Sequence, residues 1–259
     1  MARLRRLKFL DLSVNNFRGE VPSWLGFLHQ LRFLSLRNNS FNGSIPSSFS
    51  NISELETLNL KFNSIEGQIP KVIGNILNLR VLNLGGNKLV GLIPTSLLNA
   101  SRLEILEISY NSLQGNIPEE IGNLHNMNWL SIQYNQLTGS IPFTIFNISR
   151  MEFIAFTGNS LSGRMIPQEI VNFVNLVELA MAKNQITGSV PTSIFNISSL
   201  QLLSQWQNNL RGFLPREIGN LTKMQHLELS GNKLIGEIPK EISNLVELKE
   251  LDLGRNSFS

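Results

Sequence analysis

Eleven segments of this chain open on the same apolar pattern at a fixed spacing. Aligned on their first apolar residue they start at Leu7, Leu31, Leu55, Leu79, Leu103, Met127, Met151, Leu176, Leu200, Met224 and Leu248, 24 residues apart except for the seventh, which has 25. A period of that length signals a solenoid, in which no unit can bury its apolar face alone and stacked neighbours build one core. The expected organisation is one repeat domain over 1–259. Residues 1–6 are the remnant of a preceding repeat, 7–247 hold ten complete repeats and 248–259 half of another. The extra residue of the seventh unit falls in Gly163-Arg164-Met165-Ile166-Pro167 and is expected in a loop.

The unit reads L-x-x-L-x-L-x-x-N-x-L-x-G-x-I-P-x-x-I-x-x-L-x-x, as in Leu55 to Asn78. Its first part alternates apolar and polar residues, as in Leu58-Asn59-Leu60, the period of a short half-buried strand. The asparagine that follows (Asn63 in this unit) ends the strand, and its amide can donate and accept toward the backbone of the turning chain. In Gly67-Gln68-Ile69-Pro70, glycine permits a bend, isoleucine points inward and proline occupies a site that needs no donor. Ile73 and Ile76, three apart, suit a tight helical turn on the outer side. The predicted fold is an α/β repeat solenoid, a superhelix with a parallel β-sheet on its concave face and short 3-10 turns on its convex face. Eleven strands at ~4.8 Å spacing make that sheet on the order of 50 Å long, a surface scaled for a large ligand.

Composition narrows the function classes. Hydrophobic residues are 42% and charged residues 16%, as in a folded chain with a real core. The net charge of +3 owes part of its value to Arg3, Arg5, Arg6 and Lys8, without the clustered basic face that nucleic acid requires. Cysteine is absent, which excludes disulfides and thiolate metal sites. Apolar runs are too short to insert in a membrane, and the opening residues lack the uninterrupted apolar stretch of a signal peptide. His29 and His125 share an outer phase four coils apart while His226 lies on the other face, so no metal site or catalytic triad is expected. No phosphate-binding glycine motif occurs, so neither a cofactor nor catalysis is expected.

The 24-residue unit with Gly-x-Ile-Pro resembles the plant-specific class of leucine-rich repeats over essentially all of residues 7–259. The segments Ile145-Phe146-Asn147-Ile148-Ser149 and Ile194-Phe195-Asn196-Ile197-Ser198-Ser199-Leu200, with the recurrent Ile-Gly-Asn-Leu, are similar to ectodomains of plant receptor-like serine/threonine kinases of the immune-receptor type. The resemblance implies a signal peptide, a cysteine-paired cap, a membrane span and a kinase domain, of which this chain holds none. It also implies an extracellular place at the plasma membrane, a peptide or protein ligand, and recruitment of a co-receptor leucine-rich repeat kinase. Two alternatives stay open: a secreted inhibitor of a pathogen cell-wall hydrolase, whose class carries capping cysteines, and a truncated gene product without activity.

Residues flanking the inward leucines are expected on the concave strands. The candidate ligand-binding set is Arg37, Lys61, Phe62, Tyr110, Trp129, Gln133, Tyr134, Lys183, Trp206 and Gln207, because exposed aromatics with scattered positive charge suit protein and peptide interfaces. The opposing reading has Phe33, Trp129 and Phe153 sealing the strand ends. Gln205 breaks the pattern in an inward phase, where either it finds backbone partners or the coil shifts and displays Trp206 differently; the opposing reading is a tolerated drift in a robust array. Asn-x-Ser/Thr sequons at Asn51, Asn99, Asn147, Asn196 and Asn220 share one convex phase and are glycosylation candidates, with Asn38 and Asn42 weaker.

Leu4 is in phase with Leu28, Ile52 and Ile76, and Ser259 falls halfway through a coil, so both ends are expected to expose apolar surface and strand edges. Poor expression or self-association is expected. Light scattering and thermal melts check it, and a monodisperse, cooperatively unfolding monomer would sink the expectation.

Overall fold

A computed structural model of the chain describes residues 4–164 and 168–259. Each repeat is one coil, numbered here from the unit that starts at Leu7. The alternating segment forms a three-residue strand, from Phe9–Asp11 through Thr57–Asn59 to Glu250–Asp252, and the eleven strands pair in parallel in chain order. Leu58 stands opposite Leu34 on one side and Leu82 on the other, and all three are fully buried. Because side chains alternate across a strand, the leucines fall into one inward column and their neighbours into outward ones.

The recurring asparagine locks one coil to the next. In coil 6, Asn135 Nδ2 donates to the carbonyls of Ile132 in its own coil and Ile108 in the preceding one, both at 3.1 Å. Its Oδ1 accepts the Leu113 N–H, also in the preceding coil, at 3.0 Å. The same three bonds recur at Asn63, Asn87, Asn111 and onward to Asn256. Backbone groups that leave the strand inside a dry interior are thereby satisfied.

Proline precedes each of nine five-residue 3-10 turns of the convex side, such as Lys71–Asn75 after Pro70. The residue three on donates back to its carbonyl, Ile73 N to Pro70 O at 3.0 Å, while Ile73 and Ile76 point into the core. The predicted architecture is therefore observed, with one addition. The N-x-L-x-G segment is not a simple bend: it is extended and builds a second, nine-stranded parallel sheet on the flank, from Glu66–Gln68 to Ser257–Phe258. The buried leucine of this segment, Leu113 for example, alternates with exposed Gln114, the same period of two that marks the concave strand.

Gln205 sits in the core at 1% exposure and neither amide atom has a partner. The strand around it keeps register, Leu203 opposite Leu227, so the coil has not shifted and the amide is tolerated unpaired. Of the segment carrying the extra residue, 165–167 lie outside the described residues, and Ser160–Arg164 is a flank strand. Phe9 and Leu251, on the outermost concave strands, are exposed.

Replacing Gln205 by Leu removes an unpaired buried amide and is expected to raise stability by about 1–3 kcal/mol, whereas Asn135→Ala strips partners from three backbone groups and is expected to lower it by at least about 2 kcal/mol. Urea melts check both. A destabilised Gln205→Leu variant would show that its amide is satisfied after all.

Candidate functional site

The concave surface is built from four positions of each coil: the third and fifth residues, on the strand, and the seventh and eighth, where the chain leaves it. This corrects the expectation that the whole candidate set is carried on strands. Only Trp129 is a strand residue, in Trp129–Ser131. Arg37, Lys61, Gln133 and Trp206 follow the strand, and Phe62, Tyr110, Tyr134, Lys183 and Gln207 occupy the corner with φ of 57°, 51°, 51°, 51° and 52°. Left-handed backbone is unfavourable for bulky residues, about 1–3 kcal/mol each. A backbone bond to the next coil holds each corner: Phe62 N to Gly85 O at 2.9 Å, Tyr110 N to Gln133 O at 2.9 Å, and Lys183 N to Trp206 O at 2.8 Å. The corner thus fixes each side chain on the rim, a placement that spacing alone did not reveal.

The rim side chains lie against one another along the solenoid. Tyr110 stacks on Tyr134 with ring centroids 4.6 Å apart. In coils 4 and 7 the corner residue is glycine, and the preceding aromatic lies across it. A Cβ on Gly86 would come within 2.5 Å of Phe62 and one on Gly158 within 2.6 Å of Tyr134. Lys183 Nζ is 4.7 Å from the Trp206 ring centroid and Lys61 Nζ 5.1 Å from that of Phe62, both within cation–π range. On the strand side, Trp129 stacks on Phe153 at 3.7 Å and Phe9 on Phe33 at 4.3 Å. Trp129 keeps 39% of its surface exposed, so these rings pave the concave face and do not seal the strand ends. Arg37 and Gln133 join neither an ion pair nor an aromatic contact among the described residues.

One participant was missed. Glu107, only 8% exposed on the strand of coil 5, accepts hydrogen bonds from the Ser109 hydroxyl and from the Ser109 N–H at 2.9 Å. It also receives Lys61 Nζ at 3.2 Å from two coils away. The pair crosses coil 4 because Gly85 has no side chain: a Cβ there would lie 2.9 Å from the Glu107 carboxylate. An acidic residue in an outward strand phase, a lysine two units before it and a glycine between were the available signal.

The sequon asparagines Asn51, Asn99, Asn147, Asn196 and Asn220 each end a convex 3-10 turn and are exposed. Asn38 is exposed at a concave corner with φ of 55°, and Asn42 is exposed on the flank strand Ser40–Asn42. Among the described residues, no three His, Asp or Glu gather as a metal site, and no helix is long and apolar enough to cross a membrane.

Partial burial, then the neighbouring Tyr134 and Glu107, push the Tyr110 phenol above its ordinary value. The fold holds that proton more tightly than the unfolded chain does. The resulting stability is fully present below the unfolded tyrosine value and is lost as pH rises through the raised folded one. With only two tyrosines in the chain, Tyr134→Phe leaves Tyr110 as the sole phenol. Its ultraviolet titration is expected to fall above that of free tyrosine and to move down when Glu107→Gln is added; no movement would exclude the Glu107 contribution.

Leucine-rich repeats are recognised at residues 6–28, 30–52, 54–76, 77–137 and 223–245, which together take in more than half of the chain. No curated protein matches it. Among solved structures, a TDR receptor shares 30% identity with a TM-score of 0.91, over 99% of this chain and 48% of that one. The plant peptide hormone receptor RGFR1 in complex with RGF2 shares 33% identity with a TM-score of 0.77, over 99% and 49%. The Arabidopsis receptor kinase HAESA, in complex with the peptide hormone IDA and the co-receptor SERK1, shares 28% identity with a TM-score of 0.64, over 99% and 55%. The chain spans about half the length of these proteins. Repeat, coil geometry and neighbours agree: the chain belongs to the leucine-rich repeat family and has the fold of plant receptor ectodomains.

Proposed function

We propose that this chain recognises a peptide or protein along its concave rim, without catalysis, as the extracellular repeat region of a plant receptor-like kinase. The observation that carries the reading is the row of rim side chains: exposed Phe62, Tyr110 and Tyr134 at the corners, the two tyrosines stacked, and Lys183 over the half-buried Trp206. Rigid aromatic surface loses little conformational entropy on binding and anchors interfaces. Here each anchor is fixed before a ligand arrives, by its corner geometry and by the coil beneath it. The Lys61–Glu107 pair adds a neutralised bridge across coil 4.

The neighbours support the same reading. RGFR1 is in complex with RGF2, and HAESA with a peptide hormone and a co-receptor. By that analogy, the ligand of this chain would bring in a second leucine-rich repeat kinase, in immune or developmental signalling at the outer face of the plasma membrane. Sequons confined mainly to the convex turns suit such a place, because sugars on Asn51, Asn99, Asn147, Asn196 and Asn220 would leave the concave face bare.

Immobilised chain exposed to plant apoplastic peptides is the test. Changing Lys61, Phe62, Tyr134 and Trp206 together to alanine is expected to abolish retention of the peptides that the unaltered chain holds. A set retained equally by both removes the rim as the binding surface.

A further inference from the structure

A cavity of about 380 Å³ opens on the concave face where the rim meets coils 10 and 11. Trp206 walls it on the side of coil 9. Lys183 covers the indole face toward coil 8, while toward coil 10 the neighbours are Ser230 and Gly231, followed by Gly254 in coil 11. Three small residues in succession therefore leave an open bay beside an aromatic wall.

One carboxylate, Asp252, lines the bay, and a second stands beside it on the neighbouring strand. Glu228 and Asp252 stand directly opposite each other on the strands His226–Glu228 and Glu250–Asp252. Like charges in that relation repel. Each accepts one hydroxyl, Glu228 from Ser204 at 2.6 Å and Asp252 from Ser230 at 2.5 Å, and Asp252 also takes the Gly254 N–H at 3.1 Å. Among the described residues neither has a cation within ion-pair distance, although Arg255 stands on the rim of the same cavity. Compare coil 5, where Glu107 is neutralised by Lys61. The acidic pair at this end of the surface is left for something else to neutralise.

We infer that this bay is the subsite for a basic side chain of an extended peptide ligand, an arginine or lysine laid against Trp206 with its cation at Glu228 and Asp252. The inference rests on the reading of the concave rim as a peptide-binding surface and adds the ligand's charge at one position. An aliphatic stem on the indole and a guanidinium or ammonium between two carboxylates satisfy both halves of the bay. A bare divalent metal fits it less well, since no third His, Asp or Glu gathers there among the described residues. The ligand's polarity follows: its basic residue lies toward coils 10 and 11, beyond Trp129, Phe153 and Trp206.

The test uses a displayed library of random twelve-residue peptides, selected on the whole chain and on a Glu228→Gln, Asp252→Asn variant. Wild-type selection is expected to enrich peptides with a recurrent arginine or lysine, and the variant to lose that preference. For one selected peptide, replacing the basic residue by neutral citrulline or norleucine is expected to weaken binding about tenfold or more on the wild type and at most about twofold on the variant. Because the ligand side is changed as well as the protein, a folding defect in the variant cannot imitate this result. Peptides that bind without basic preference, or lose equally on both proteins, overturn the inference and leave the rim reading standing. A library with no wild-type binder overturns both.

Discussion

Everything in this molecule hangs on one hydrogen-bonded asparagine amide per coil. Asparagine is the side chain able to donate to two carbonyls in one coil and the one before while accepting an N–H from the latter. The strand has to end so that the chain can turn, and ending it inside a core strands polar backbone at a cost of about 1–3 kcal/mol per group. With the amide in place, the corner costs little and can be repeated eleven times at constant pitch. Gln205 shows the contrast: a longer amide in an adjacent inward phase reaches no backbone group and stays unpaired.

The same corner turns a scaffold rule into a display device. Immediately before the asparagine the chain passes through left-handed backbone, and the bond from that residue's N–H to the next coil makes the conformation affordable for tyrosine or phenylalanine. Side chains there cannot relax sideways, since the following coil offers either another ring, as for Tyr110 on Tyr134, or bare glycine, as for Phe62 on Gly86. The rim is rigid because the sheet beside it is.

The architecture was legible because every coil repeats the same physical problem: period-2 leucines, the amide, the glycine and the proline each have one job that spacing exposes. The flank sheet was less legible, since a single leucine between Asn111 and Gly115 is too short a run to announce a strand. Among candidate binding residues, Phe62, Tyr110, Tyr134 and Trp206 were recognisable as outward aromatics, but their corner conformation was not, because no left-handed signal exists in a tyrosine. Glu107 escaped notice because its partner Lys61 is 46 residues away, and the relation is visible only when coils 3 and 5 are seen to face each other across Gly85.

That long-range pairing bears on how such an array changes by duplication. Repeat arrays gain and lose whole units by unequal exchange, and the leucine and asparagine columns accept an inserted 24-residue unit without loss, since each coil asks only for a like neighbour. The Lys61–Glu107 bridge and the Phe62–Gly86 contact do not: a coil inserted after coil 3 would part both pairs at once and leave a buried carboxylate unpaired. Copy number is thus free for the scaffold and fixed for the surface, so one recombination event could rewrite recognition while the fold went unmarked.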